Sequence, residues 1–362
     1  MTIALPLFKP THPTTAGLLK AVPPRAPALA HAAGALLDSH GRTIHDLRLS
    51  ITDRCNFRCV YCMDTDVKFF TPDKLLTREQ MQRLVRICAG LGIRKVRLTG
   101  GEPTLHPQLE GIIADMASIG GVEVALTTNG SMLELGSLQR WRAAGLTRIT
   151  ISIDAVDAGR FAALTRSNCG PERVVEGVQA AIEAGLQPVK LNAVIIRGVN
   201  EDQIVGLAGL ARRLGVVMRF IEFMPLDSSR SWDRGRVVNA DEVVRVINAV
   251  YPLRMLGRDD PTSTSELYAF ADGSSGSIGI IAPVSRPFCG ACSRLRVTAD
   301  GKIRPCLFSN QEWDVGAILR SSVDDREIAA YLVDSTWTKQ AGHGISAADF
   351  AQPERTMSAI GG

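Results

Sequence analysis

A chain of 362 residues has room for a barrel-sized domain and a smaller one. Its 45% hydrophobic and 22% charged content are those of an ordinary globular protein, and no run of about 18 apolar residues offers a membrane span. The net charge of +4 mildly favours an anionic partner and is too small to indicate nucleic acid unless the charges cluster.

Residues 1–43 read as a disordered extension. They are rich in Ala, Pro, Leu and Thr, with Asp38 the sole acid. A transit peptide has a similar composition, but the prolines disrupt any amphipathic helix. From Asp46 onward, strand patterns at 46–52, 95–99, 122–127, 147–153, 188–196 and 217–223 alternate with helix patterns at 77–89, 105–119, 133–144, 171–184 and 201–214. Thr77 and Gln80 form the signature of a capping box, and Gly145, Gly185 and Gly215 stand where helices should stop. Six β-α repeats in series predict an α/β fold with a parallel sheet, a partial barrel spanning 44–240. Beyond it, Ser/Thr/Gly-rich stretches predict a smaller irregular α+β domain at 241–345 and a tail at 346–362.

Several of these strands alternate, although buried parallel strands usually read as continuous apolar runs. Leu47, Leu49 and Ile51 oppose Arg48, Ser50 and Thr52; Val96 and Leu98 oppose Lys95, Arg97 and Thr99. Ile149, Ile151 and Ile153 oppose Thr150, Ser152 and Asp154, while Val189, Leu191 and Ala193 oppose Lys190 and Asn192. The apolar faces must meet the helices. The polar faces then point into a cavity whose basic lining suits a polyanion such as a nucleoside triphosphate.

Eight cysteines carry the chemistry, and six fall into two triads. Cys55, Cys59 and Cys62 are spaced C-x3-C-x2-C just after the first strand; Cys289, Cys292 and Cys306 are spaced C-x2-C-x13-C in the second domain. Such triads suit metal ligation in a reducing compartment better than disulfides. Three thiolates hold three irons of a [4Fe–4S] cluster and leave the fourth open. For the second triad, zinc with a recruited His or Asp is an alternative. Cys88 and Cys169 have no partner at ligand spacing and read as structural or incidental. A nucleic-acid module with two zinc sites is disfavoured by the missing basic stripe and an aromatic content of only 5%.

The first triad, followed by Gly100-Gly101-Glu102-Pro103 at the end of the second strand, resembles the signature of the radical S-adenosylmethionine (SAM) superfamily. More closely, the run from Asp46 to Met63, the run from Lys95 to Pro103, Thr127-Thr128-Asn129-Gly130, Glu222-Phe223-Met224-Pro225 and the block from Phe288 to Arg296 resemble the GTP 3′,8-cyclases of molybdenum cofactor biosynthesis. The resemblance runs from about residue 44 to residue 362. It implies two [4Fe–4S] clusters and SAM. A 5′-deoxyadenosyl radical would take the ribose 3′ hydrogen of GTP, and the carbon radical would attack guanine C8. Reduction would give 3′,8-cyclo-7,8-dihydro-GTP, which cyclic pyranopterin monophosphate synthase consumes.

By motif match, Tyr61, Gly101, Ser152 and Met224 would contact SAM. Arg48, Arg97, Thr128, Lys190, Arg294, Leu295 and Arg296 would contact GTP, with Arg48, Arg294 and Arg296 catalytic. The resemblance also implies a flavodoxin- or ferredoxin-like electron donor and a cytoplasmic location, with no nucleic-acid or membrane partner, and it is compatible with a homodimer. It places the Gly361-Gly362 end in the active site, although the composition alone reads as a flexible tail.

Overall fold

The computed structural model describes residues 22–345, 347 and 350–361. Six strands, Asp46–Ser50, Lys95–Thr99, Glu123–Thr128, Leu146–Ser152, Lys190–Ile195 and Val217–Glu222, lie side by side in chain order. Each runs parallel to the next. The alternation reads correctly: Leu47, Leu49, Val96, Leu98, Ile151 and Leu191 are fully buried in the apolar layer beneath the helices. Each such side chain contributes roughly 1.5–3 kcal/mol by leaving water. On the other face the register sets Arg48 opposite Arg97 and Asn192 opposite Arg219.

The helices Arg78–Gly90, Leu109–Ala117, Leu135–Ala143, Pro171–Glu183 and Ile204–Leu214 fall where expected. Thr77 and Gln80 close their capping box. Gly145, Gly185 and Gly215 all take positive φ at helix ends, a conformation that costs glycine nothing. A further helix, Ala158–Thr165, went unread; Asp157, which caps Arg160 N at 2.8 Å, was its signal.

The C-terminal part is joined to the barrel at both of its edges. Arg294–Val297 pairs in parallel with Asp46–Ser50, which places Arg296 opposite Arg48. Ser277–Ile281 pairs in parallel with Val217–Glu222. Antiparallel strands continue outward on each side to make one twelve-stranded sheet, which does not close on itself.

Residues 1–21 lie outside the described residues. For 22–43 the expected disorder is wrong. This stretch forms a helix, Ala28–Ala32, and a two-stranded hairpin, Leu36–Leu37 with Thr43–Ile44. Ala26, Ala30 and Leu36 are buried in the main core. Asp334, in the helix Asp325–Trp337, accepts from Arg25, from the Ala26 amide at 2.9 Å and from the His31 ring at 2.9 Å. A composition poor in periodic signal conceals an order set by long-range contacts.

The described end of the tail, residues 350–361, is ordered too. A 3-10 turn, Met357–Ile360, leads to Gly361, whose carbonyl accepts from Arg296 Nη1 at 2.9 Å. Gly361 has φ of 75°, and a Cβ there would lie 2.5 Å from Ser50 Oγ and 2.7 Å from Thr99 Oγ1. The residue must therefore be glycine on both conformational and steric grounds. Gly362 lies outside the described residues.

Candidate active site

A cavity of about 710 Å3 occupies the inner face of the sheet, within the size range of small-molecule sites. Both triads line it, together with inward residues from all six barrel strands. None of the six cysteines is in a disulfide.

The first triad sits on the loop after the first strand. That loop is held by Arg58 N to Thr165 O at 2.8 Å and Val60 N to Leu164 O at 3.0 Å, both at the end of the unread helix. The Gly-Gly-Glu segment docks against it, with Gly101 N on Thr52 O at 2.9 Å and Glu102 N on Arg54 O at 2.7 Å. A Cβ at Gly101 would stand 2.3 Å from the Arg54 carbonyl oxygen, so only glycine permits this approach. Burial pushes Cys55 up to about 11 and Cys62 up to about 12, and Cys59 well above the ordinary thiol value. As thiolates these groups need a local positive charge, which iron supplies.

Of the residues matched to SAM contact, Tyr61, Gly101, Ser152 and Met224 all line the cavity. The Tyr61 hydroxyl donates to Asp154 Oδ2 at 2.6 Å, and Val194 N donates to Asp154 Oδ1 at 2.8 Å. Burial raises Asp154 to about 6.

The second triad lies across the cavity. Cys289 opens a 3-10 turn, Cys289–Ala291, and Cys306 follows the strand Lys302–Arg304. Against burial, which raises it, Arg294 and Lys339 draw Cys292 down to about 6. Among the described residues no three His, Cys, Asp or Glu side chains close on a single ion. The triad supplies the three thiolates of a four-iron cluster with one open iron, whereas a structural zinc takes four protein ligands.

Between the triads the basic residues converge. Arg48, Arg97 and Lys190 line the cavity as their strand faces predict, and Arg294 and Arg296, matched by motif alone, line it too. Burial, then Arg296, Arg97, Arg294 and Arg219, push Arg48 well below the ordinary arginine value. Burial and Arg294 bring Arg296 to about 9; burial and then Arg219, Arg148 and Arg97 bring Lys190 to about 8. Arginine keeps its proton in proteins, so the lowered values register the burial and mutual crowding of these cations. Among the described residues, Arg294 Nε is buried with no hydrogen-bond partner.

Two matched residues sit differently. Leu295 is fully buried in the outer apolar core, because pleating turns it away from the face that Arg294 and Arg296 share. Its side chain is withdrawn from the cavity. Thr128 lines the cavity, but its hydroxyl donates to Glu102 Oε1 at 2.7 Å. Glu102 also accepts from Thr104 Oγ1 at 2.6 Å and Asn129 N at 2.6 Å.

Arg219 was missed. It lines the cavity, donates to Asn192 Oδ1 at 2.9 Å, and is brought by burial and Arg97 to about 9. Its signal was the alternation with Met218 and Phe220 in the sixth strand.

Residues 49–211 match the family model of the radical SAM superfamily, and residues 216–345 match Molybdenum Cofactor Synthesis C. The chain is 45% identical to the GTP 3′,8-cyclase of Mycolicibacterium smegmatis over 92% of this chain and 93% of that one. It is 42% identical to the enzyme of the same name from Rhodopirellula baltica, over 91% and 92% of the two chains. This chain belongs to the GTP 3′,8-cyclase family. It is a radical SAM enzyme, and the family's cofactors are iron–sulfur clusters and SAM.

Streptococcus suis SuiB bound to S-adenosylmethionine superposes with a TM-score of 0.62 over 89% of this chain and 72% of that one, at 14% identity. Native anSMEcpe with bound AdoMet gives 0.54, over 78% and 79%, at 14% identity. At that distance the likeness shows the shared radical SAM fold alone. The six thiols on one cavity and the SAM-loop packing fit this cyclase's cofactors. Among the described residues no helix is long and apolar enough to cross a membrane.

Proposed function

We propose that this GTP 3′,8-cyclase builds 3′,8-cyclo-7,8-dihydro-GTP in the cavity between the two triads. One observation carries the assignment of substrate to place: five cationic side chains, Arg48, Arg97, Lys190, Arg294 and Arg296, converge on one cavity between the two cysteine triads. A triphosphate is the anion whose geometry suits guanidinium forks.

Cys55, Cys59 and Cys62 would hold the cluster that binds SAM, beside Tyr61, Gly101, Ser152 and Met224. Cys289, Cys292 and Cys306 would hold the second cluster, which would supply an iron free to bind substrate. When bound, the first cluster and SAM supply the 5′-deoxyadenosyl radical. The protein's part is to orient GTP and exclude water. Arg48, Arg97, Arg219 and Lys190 would grip the anionic end of GTP, while Arg294 and Arg296 approach it from the edge strand. Leu295 would contribute through its backbone only, and Thr128 through Glu102. Asp154 holds the Tyr61 ring still.

We further propose a flavodoxin- or ferredoxin-like donor, a cytoplasmic location, transfer of product to cyclic pyranopterin monophosphate synthase, and a homodimer as the assembly to test. The deciding experiment is anaerobic incubation with SAM, dithionite and GTP deuterated at C3′. Monodeuterated 5′-deoxyadenosine and a nucleotide isomeric with GTP are expected. Unlabelled 5′-deoxyadenosine with intact GTP would sink the reading.

Lys190 gives the reaction a pH dependence. With its pKa near 8, the ammonium is charged below that pH and neutral above it, and a bound triphosphate favours the charged form. GTP affinity should therefore be greatest below pH 8 and fall as pH rises through it, approaching tenfold per unit. Isothermal titration between pH 7 and 9 reads the slope. Lys190→Arg should flatten it, and an equally steep slope in that variant would remove Lys190 from the site.

Deleting Gly361 and Gly362 takes from Arg296 the carbonyl that it now binds. The truncated protein is expected to keep its irons and its thermal stability but to lose most GTP conversion. A short peptide ending in Gly-Gly should partly restore it. Full activity after truncation would return the tail to a passive end.

A further inference from the structure

Two buried cations outside the basic cluster bind the backbone beside all three cysteines of the second triad. The first is Arg42, at the end of the N-terminal hairpin. Its Nη1 donates to the Cys289 carbonyl at 2.7 Å and the Ala341 carbonyl at 2.9 Å, and its Nη2 to the Gln340 carbonyl at 2.6 Å. Asp38 holds it in place: Asp38 accepts from Arg42 Nε at 2.5 Å and, through its other oxygen, from the Arg42 and His40 amides at 3.0 and 2.9 Å. The pair is buried and its charges cancel.

The second cation is Lys339, just past the helix Asp325–Trp337, only 3% exposed. Its ammonium donates to the Arg294 carbonyl at 2.8 Å, two residues after Cys292, and to the Pro305 carbonyl, one residue before Cys306. Among the described residues Lys339 has no carboxylate within ion-pairing distance. The chain segment 339–342 is thus a hub. Lys339 ties two ligand loops, the carbonyls of Gln340 and Ala341 receive Arg42, and a Cβ at Gly342 would touch Cys289 Cβ at 3.7 Å.

We propose that Arg42 and Lys339 are positioning residues for the second cluster, Arg42 fixing the Cys289 loop through its neutralised fork and Lys339 joining the other two loops while adding an uncompensated positive charge. The proposal rests on reading Cys289, Cys292 and Cys306 as cluster ligands. A cluster held by three thiolates gains a negative charge on reduction, and a fixed cation in a dry setting favours that state. Carbonyl tethers set where the sulfurs point. The two residues therefore act differently. Arg42→Lys keeps a charge but loses the planar fork that reaches three carbonyls at once. Lys339→Gln keeps a donor but loses the charge.

The test uses full-length protein reconstituted anaerobically, with the second cluster's EPR signal identified as the one that survives Cys59→Ala. In Arg42→Lys, a chelator should remove iron from the second cluster at least tenfold faster than in the wild type, with the first cluster's rate unchanged. In Lys339→Gln, iron content should hold near the wild-type value while the second cluster's midpoint moves to more negative potential. Lys339→Arg should return the midpoint, and the first cluster's midpoint should stay fixed throughout.

Unchanged release in Arg42→Lys, or an unmoved midpoint in Lys339→Gln, would overturn the proposal. So would a Lys339→Arg variant that behaves like Lys339→Gln, because charge would then not be the cause. A wild-type protein that binds only about four irons would instead refute the second-cluster reading itself, a distinct failure.

Discussion

Cys59→Ala is expected to reduce 5′-deoxyadenosine formation to below detection, with or without GTP. Cys59 lies mid-loop between Cys55 and Cys62, and its amide neighbours fix the loop to the Ala158–Thr165 helix. Two remaining thiolates cannot hold a cuboidal cluster through redox cycling. Iron should fall by about half, because the second triad is untouched. The control is Cys88→Ala. Cys88 is fully buried on the inner side of the helix Arg78–Gly90, among apolar neighbours and away from the cavity. That variant should cost on the order of 1 kcal/mol of stability and leave SAM cleavage intact. Normal 5′-deoxyadenosine from Cys59→Ala, measured by chromatography after anaerobic incubation with dithionite, would end the assignment of the first triad.

Cys292→Ala should produce the opposite division. The first cluster and its SAM loop share no hydrogen bond with the Cys289–Cys306 region among the described residues, so uncoupled SAM cleavage should continue. GTP conversion should cease. The thiol is 3.4 Å from Arg294 Nη2, so its loss would leave the second cluster with two of its three thiolates and free one of the guanidiniums proposed to hold substrate. Product formation and 5′-deoxyadenosine are measured in the same reaction. Wild-type turnover of GTP would mean that the second triad serves the fold only. Loss of both activities would mean that the two halves of the cavity are not independent.

Much of this was legible in order along the chain. The alternation of strand and helix is local, and each strand boundary fell within about two residues of the structure because hydrophobic period and glycine stops are properties of short segments. The inward set Arg48, Arg97, Lys190 and Ser152 followed from pleating alone. The same rule, applied to the sixth strand, would have found Arg219. Applied to Arg294-Leu295-Arg296, it would have turned Leu295 away from the cavity. Asp157 was an overlooked cap.

Other features were absent from any local signal. The hairpin at 36–44 is too short to announce itself, and it is ordered because Leu36 fills the core and Asp334, some 300 positions along the chain, receives Arg25 and His31. An open parallel sheet leaves two edges with unpaired backbone groups, and nothing in the strand sequences states what completes them. Here the C-terminal strands Arg294–Val297 and Ser277–Ile281 do so. That pairing carries the second triad and its arginines across from the first.

By itself, then, the sequence determined the two cysteine triads, the periodicity, the charge of the inner face and the kinship with GTP cyclases, because each depends on residue type at fixed spacing. Only the tertiary structure decided which distant segments close the site. Edge completion brings Arg296 opposite Arg48. The tail lays the Gly361 carbonyl on Arg296, and Arg42 and Lys339 tie the second-triad loops to one short segment. Those contacts join parts of the chain far apart in sequence. Their formation depends on burial and hydrogen-bond satisfaction across the whole molecule, which no window of residues contains.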